Sequence, residues 1–141
     1  MRLLPAALIA VALAGCGAGE DAADGTEPRE AAPEGPAISL EVTVWPTGRA
    51  NGPRHVTTLE CDPVGGNHPA PEESCRTLTA NPDLLEPVPE DVMCTQQFGG
   101  PDQARVRGAY RGRELDLRYS RANGCEISRW DRLAPLFKVV V

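Results

Sequence analysis

The sequence predicts an α+β domain, a five-stranded antiparallel sheet covered by one or two short helices and closed by two disulfides. The chain has 14 glycines and 14 prolines among its 141 residues, which favours turns and extended segments over a helical bundle. Apolar and polar residues alternate in several stretches, a pattern typical of strands with one buried face. Setting aside one cysteine near the N-terminus leaves four, an even number that predicts two disulfides in an exported chain.

The first half of the domain predicts two strands and one helix. Residues 38–45 alternate regularly between apolar and polar side chains, as expected of a half-buried strand. Residues 55–61 contain valine and a threonine pair, which suit a second strand, and a loop is expected over 62–71. Residues 71–79 open with Pro-Glu-Glu, so that acids occupy the first turn of a short helix. Asn81-Pro82 should end it.

The second half predicts an irregular stretch, a hairpin, a helix and a strand. Residues 82–91 hold three prolines and should be irregular. Residues 104–110 and 114–119 are strand-like and are separated by Arg-Gly-Arg, a hairpin signal. A short helix is expected over 125–131. The apolar residues 136–141 predict the last of the five strands.

Residues 1–16 have the features of an export signal. Arg2 precedes an apolar run, which is too short to span a bilayer and fits a secretory signal peptide. The end of the run, Leu-Ala-Gly-Cys, resembles the bacterial lipoprotein cleavage box. That resemblance implies that residues 1–15 are removed and that Cys16 carries the lipid, which anchors the protein at the outer face of the cytoplasmic membrane. The alternative is an ordinary secretory signal with an incidental cysteine.

Residues 17–37 predict a disordered tether between Cys16 and the domain at 38–141. They contain six acids and one arginine, with hardly a large apolar side chain to bury, so they cannot order themselves. Cleavage within the tether would release the domain to the medium.

The remaining cysteines, Cys61, Cys75, Cys94 and Cys125, allow three disulfide pairings. Zinc sites need close pairs such as C-x-x-C, and the chain has none, so no metal site is predicted. Pairing neighbours would close two moderate loops, each contributing about 3–4 kcal/mol by the loop-entropy estimate.

No catalytic or nucleic-acid site is predicted. The two histidines, His55 and His68, lie at a strand start and in a loop, where a structural hydrogen bond is the expected role of His68. Neither has the spacing of a Ser-His-Asp or Cys-His site. Residues 103–141 carry nine basic and four acidic side chains, but these alternate along strands with little aromatic interleaving, so nucleic-acid binding is not supported. We expect neither an enzyme nor a cofactor.

Four short motifs closely resemble the Streptomyces-type subtilisin inhibitor family. They are C-D-P-V-G-G-N-H-P at 61–69, C-R-T-L at 75–78, E-D-V-M-C at 90–94 and N-G-C-E at 123–126. The resemblance covers roughly residues 38–141. It implies an exported inhibitor of subtilisin-like serine proteases, with a five-stranded antiparallel sheet and two helices, and often a homodimer formed through the sheet. It also implies the neighbour pairing of the cysteines.

The same resemblance implies a reactive bond two residues after the loop cysteine. Carried over, the bond lies between Gln96 and Gln97, and the disulfide from Cys94 to Cys125 holds the loop ready for a protease. The residues implied to contact the protease around this bond are Met93, Cys94, Thr95 and Phe98.

An alternative keeps the fold and changes the function. The chain would then be a lipid-anchored binding or envelope protein without strong protease inhibition. Its binding surface would be elsewhere, for example on the arginine-rich hairpin at 105–121. A solvated sheet face is the simpler interpretation of that hairpin.

Overall fold

The computed structural model of the protein describes residues 35–140. The predicted signal peptide, Cys16 and most of the predicted tether lie outside these residues. The described part contains five strands, two α-helices and two short 3₁₀ helices. In chain order they are β1 (Ile38–Trp45), β2 (His55–Cys61), β3 (Gly65–Gly66), α1 (Pro71–Ala80), the first 3₁₀ helix (Pro82–Leu85), β4 (Gln103–Tyr110), β5 (Arg113–Ser120), α2 (Gly124–Arg132) and the second 3₁₀ helix (Ala134–Phe137).

The strands form one antiparallel sheet in the order β3-β2-β1-β4-β5. The first strand, β1, is therefore central, with Ile38 opposite Cys61 on one side and Tyr110 on the other. This architecture, with its two helices, confirms the predicted fold class. The hairpin and both predicted helices are also confirmed, within two residues at each end.

The predicted strand at 136–141 is wrong. Leu136 and Phe137 are buried, but within the second 3₁₀ helix, which has a proline in its first turn. The fixed φ of proline suits the start of a helix, so the chain turns here and these apolar side chains cover the core. The fifth strand is β3, inside the predicted loop at 62–71. A side chain at Gly66 would collide with the backbone of Thr58, which is why glycine pairs there.

The core lies between one face of the sheet and the helices. The alternation in β1 buries its apolar side chains on that face. There α1 lies against β2, α2 against β5, and the second 3₁₀ helix against β1. Aromatic rings close one end, with Phe137 lying 4.4 Å from Trp130 and 5.1 Å from Tyr119 between ring centroids. The buried aliphatic residues of the sheet are Ile38, Leu40, Val42, Val44, Leu59, Ala104, Val106 and Leu115.

The disulfides have the neighbour pairing that the resemblance implies. Cys61 pairs with Cys75 and joins β2 to α1, while Cys94 pairs with Cys125 and joins a loop to α2. Two disulfides in a domain of this size indicate an oxidising compartment and therefore export.

His68 has the structural role predicted for it. It is buried, and its Nε2 donates to the Leu136 carbonyl oxygen at 2.9 Å, an atom that can only accept. Its Nδ1 accepts from the Ala70 backbone N–H at 3.1 Å. The ring thus connects the loop before α1 to the second 3₁₀ helix, and neither nitrogen remains for catalysis.

Candidate functional site

Of the three large apolar side chains that are at least 70% exposed among the described residues, two lie on one loop. Residues 86–102 contain neither helix nor strand. Within them, Met93 is 96% exposed and Phe98 is 70% exposed. Leaving such side chains in water forgoes about 1.5–3 kcal/mol of burial free energy each. Gln96 and Gln97 lie between them and are also exposed. We call residues 93–99 the exposed loop, and its composition indicates a contact surface.

Two bonds attach the beginning of the exposed loop to the start of α2. Cys94 forms the disulfide with Cys125, and the Thr95 carbonyl oxygen accepts from the Gly124 N–H at 3.0 Å. Asn123 sets this geometry, because its side chain caps α2 by accepting from the Glu126 N–H at 3.0 Å. A methyl group at position 124 would lie 3.3 Å from the Thr95 Cβ and closer still to its hydroxyl. Glycine therefore allows the loop to approach the helix.

Arg121 holds the end of the exposed loop. The Gly99 N–H donates to the Arg121 carbonyl oxygen at 2.7 Å, and the Arg121 Nε donates to the Gly99 carbonyl oxygen at 3.0 Å. Asp131 on α2 accepts from Arg121 Nη1 at 2.7 Å. A Cβ at position 99 would lie 2.8 Å from Ile127, so this approach also requires glycine. The exposed loop is consequently fixed at both ends.

A buried arginine fixes the chain that leads into the loop. Arg129 Nη2 donates to the carbonyl oxygens of Glu86 at 2.7 Å and Leu84 at 3.2 Å. Its Nη1 pairs with Glu126 at 3.0 Å, and its guanidinium lies 4.4 Å from the centroid of the Tyr119 ring. Burial raises the pKa of Tyr119 to about 12, and its hydroxyl donates to the Leu84 carbonyl oxygen.

The described surface has clefts beside the loop and on the sheet. One of about 570 Å³ lies beside the loop, between Val88 and Ser128. A larger one, about 660 Å³, lies on the open face of the sheet away from the loop. Between residues 35 and 140, no group of three His, Cys, Asp or Glu side chains could hold a metal ion. None of the helices described there is long and apolar enough to cross a bilayer.

The structure brings most of the predicted site residues together. Residues 93–98 lie on one loop, beside the Cys94–Cys125 disulfide, and Cys16 lies outside the described residues. Sequence reasoning missed the supports at Gly99, Arg121 and Gly124. The glycine pair and the Asn-Gly step are recognisable turn signals, but nothing near Arg121 in the sequence indicates that it contacts a loop 22 residues earlier.

Comparison with known proteins identifies the family. The family model described as "Subtilisin inhibitor-like" matches residues 35–123. Subtilisin inhibitor-like protein 1 of Streptomyces cacaoi is 36% identical over 98 residues, covering 66% of this chain and 87% of that protein.

A solved structure, that of Streptomyces caespitosus sermetstatin in complex with Bacillus licheniformis subtilisin, is 25% identical over 72% of this chain and 97% of that chain, with a TM-score of 0.48. Because this score is low, the assignment depends on the two sequence matches. The chain belongs to the subtilisin inhibitor-like family, whose members are protease inhibitors and not enzymes.

Proposed function

We propose that the chain inhibits subtilisin-like serine proteases, with the bond between Gln96 and Gln97 presented to the catalytic serine. The observation that carries this proposal is a loop that is exposed in its side chains yet fixed at both ends. A fixed loop loses little conformational entropy on binding, so its contacts are expressed as affinity. The sequence matches to the subtilisin inhibitor-like family support the choice of protease.

The proposed mechanism needs geometry and no catalytic group from the inhibitor. The loop backbone adds a strand to the cleft of the protease. The serine attacks the Gln96 carbonyl carbon, and the amine of Gln97 is the leaving group. Because both sides of the bond remain attached to α2 and its preceding turn, the amine stays close and re-forms the bond. Hydrolysis is then slow and the complex persists.

Side chains on the loop determine which protease is inhibited. Met93 would fill an apolar S4 pocket, Gln96 the S1 pocket, and Phe98 a site on the primed side. Burying the Gln96 amide without a hydrogen-bond partner costs about 1–3 kcal/mol. A broad subtilisin pocket leaves part of the amide in water, whereas trypsin-like proteases, which require a cation, should be poor targets.

The experiment is a titration of subtilisin with the oxidised chain, carrying Cys16→Ser to prevent lipidation, in a chromogenic assay. Mass spectrometry follows cleavage in the same mixture. We expect stoichiometric inhibition with slow cleavage only between Gln96 and Gln97. Gln96→Pro should abolish inhibition, whereas Arg111→Gly, in an exposed turn with φ of 48°, should not.

Inhibition that survives Gln96→Pro, or rapid cleavage elsewhere in a folded chain, would contradict the proposed bond. No inhibition by the parent chain would favour the alternative of a binding or envelope protein that keeps the fold.

We further propose that Cys16 is lipidated and that residues 17–37 tether the domain to the membrane. The support is the sequence alone, an apolar run followed by Leu-Ala-Gly-Cys and an acidic segment. The measurement is mass spectrometry of the N-terminal peptide from protein expressed in a bacterial host. Replacing Cys16 by serine should move the protein from the detergent phase to the aqueous phase.

The open face of the sheet is proposed to dimerise with a second copy. Glu60 and Glu114 lie near one end of this face, in line across the strands with Ser39. Arg105 and Arg118 face each other nearer the other end. A two-fold axis would place the basic end of one copy on the acidic end of the other. Sedimentation velocity should show a dimer that high salt weakens; a monomer at all salt concentrations would contradict it.

A further inference from the structure

We infer that Arg121 is a positioning residue for the inhibitory reaction, holding the new amino terminus in place so that the cut bond is re-formed. This inference depends on the proposed function, because it concerns the fate of the Gln96–Gln97 bond. Arg121 contacts neither glutamine itself. It acts through Gly99, which follows Gln97 by two residues. We call Arg121, Gly99 and Asp131 the Arg121 clamp.

The clamp occupies both backbone groups of one residue. The Gly99 N–H and C=O bond to the carbonyl oxygen and the Nε of Arg121, at 2.7 and 3.0 Å. Such a pair of bonds fixes the position and the orientation of the peptide. Residues 97 and 98 are the only links between that fixed point and the reactive bond, so the Gln97 nitrogen has a short range of movement.

Asp131 holds the guanidinium of Arg121 against the loop, and Ile127 lies beside Gly99. The side chain of Arg121 is 23% exposed, whereas that of its partner Asp131 is 58% exposed. Asp131 accepts from Nη1 and so leaves Nε directed at Gly99. Both Asp131 and Ile127 belong to α2, which also carries Cys125. One helix thus supports the chain on both sides of the reactive bond.

The chemistry explains why the primed side needs its own support. When the serine Oγ bonds to the Gln96 carbonyl carbon, the C–N bond breaks, and the proton from the serine passes to the nitrogen of Gln97. The acyl-enzyme then has two fates. Water can attack, giving a carboxylate at Gln96 and a free serine, or the Gln97 amine can attack, giving the intact inhibitor and a free serine.

The disulfide at Cys94 restrains only the acyl side of this intermediate. The amine side is restrained near the bond by the clamp, since the next regular element, β4, begins at Gln103. A held amine has a high effective concentration and competes with water. Releasing Gly99 lowers the effective concentration of the amine, so attack by water becomes faster relative to re-formation of the bond.

The test compares Arg121→Ala, Arg121→Lys and Asp131→Asn with a control, Arg132→Ala. Arg132 follows Asp131 on α2, but it pairs with Asp83 at an exposed site. Each oxidised chain, carrying Cys16→Ser, is incubated with subtilisin, and the ratio of intact to cut inhibitor is followed to equilibrium. Arg121→Ala should be cut about tenfold faster and give inhibition that fades with time. Arg121→Lys keeps the positive charge but lacks the guanidinium that donates to both Gly99 and Asp131. It should therefore restore little of the slow cutting.

A merely structural role would lower the melting temperature without changing the ratio of intact to cut inhibitor. If Arg121→Ala matches the parent and Arg132→Ala in cutting rate, final ratio and duration of inhibition, the clamp is overturned while the proposed function stands. Failure of the parent chain to inhibit would overturn both.

Amide hydrogen exchange without protease distinguishes these failures. The Gly99 N–H should exchange slowly in the parent and in Arg132→Ala. It should exchange faster in Arg121→Ala, because the peptide loosens without the Nε bond to the Gly99 carbonyl oxygen, although the backbone acceptor of the N–H remains. Slow exchange in the parent, together with absent inhibition, would leave the clamp as a structural contact with no role in re-forming a bond. Fast exchange in the parent would overturn the clamp itself.

Discussion

The two disulfides lie in very different surroundings. Cys61 is 1% exposed and Cys75 is 8% exposed, and they join β2 and α1 where these elements already pack together. Cys94 and Cys125 are only half-buried and join α2 to a loop without regular structure. The separations along the chain are 14 and 31 residues, so the loop-entropy estimate gives about 3 and about 4 kcal/mol respectively.

The two disulfides therefore restrict the unfolded chain by similar amounts, but they have different roles in the native structure. At Cys61 and Cys75 the disulfide reinforces contacts that apolar burial would maintain. At Cys94 the disulfide takes the place of a core, because no side chain of the exposed loop is buried. A covalent bond and a few backbone hydrogen bonds allow Met93 and Phe98 to remain in water while the backbone between them stays fixed.

The largest effect should come from Cys94→Ala with Cys125→Ala. Ordering even three loop residues on binding costs about 3 kcal/mol, so inhibition of subtilisin should weaken by about 100-fold. Chemical denaturation should show a loss of about 4 kcal/mol from the free energy of unfolding. Unchanged inhibition would mean that the loop is rigid without its disulfide.

Cys61→Ala with Cys75→Ala should lower the stability of the chain while changing its inhibition of subtilisin little. The free energy of unfolding should fall by about 3 kcal/mol or more, since buried sulfur contacts are lost as well. Inhibition should change less than about threefold at temperatures where the variant stays folded. Circular dichroism in the assay buffer is the control for folding. Loss of inhibition in a folded variant would contradict the contrast between the two disulfides.

Alkaline pH should lower the free energy of unfolding through the buried hydroxyl of Tyr119. Burial raises the pKa of Tyr119 from 10.0 to about 12, so the folded state keeps a proton that the unfolded state loses. The free energy of unfolding should be constant below pH 10 and fall by about 2–3 kcal/mol between pH 10 and 12. Tyr119→Phe should remove most of this slope in denaturation series. An equal slope in that variant would exclude Tyr119 as the cause.

The smallest effect concerns Gly124. Gly124→Ala should push Thr95 away from α2 and weaken inhibition by about tenfold, with little change in melting temperature, because the methyl group has no room beside Thr95. Gly35→Ala is the matched control, since a Cβ there meets nothing within 4 Å. Equal inhibition constants for both variants would show that the loop tolerates a wider separation from the helix.

The sequence predicts features of the fold that depend on neighbouring residues. The strict alternation from Ile38 marks β1, and the Arg-Gly step at 111–112 marks the hairpin. The strand predicted from the apolar run at 136–141 was wrong, because a run of that length suits a buried strand and a buried helical turn equally well. The proline at position 135 was the available signal for a helical turn, since proline suits the first positions of a helix. β3 is too short for any periodic pattern.

The supports of the site could be predicted only in part. The cysteines around the exposed loop are visible in the sequence, where their number leaves three pairings open. The resemblance to the inhibitor family implied the pairing that the structure has. The contact of Arg121 with Gly99 is not visible, since any of several arginines could reach the loop and only the packing of α2 selects one. The role of buried Arg129 is hidden for the same reason.

The central place of β1 has a consequence for how the chain acquires its fold. Synthesis proceeds from the N-terminus, so β1 emerges early and gains one neighbour when β2 follows it. Its second neighbour, β4, begins at Gln103, and the core is covered only when Leu133, Leu136 and Phe137 arrive. Contacts so distant in sequence form slowly. The polypeptide therefore stays open through most of its synthesis, a state that suits threading through a translocation channel.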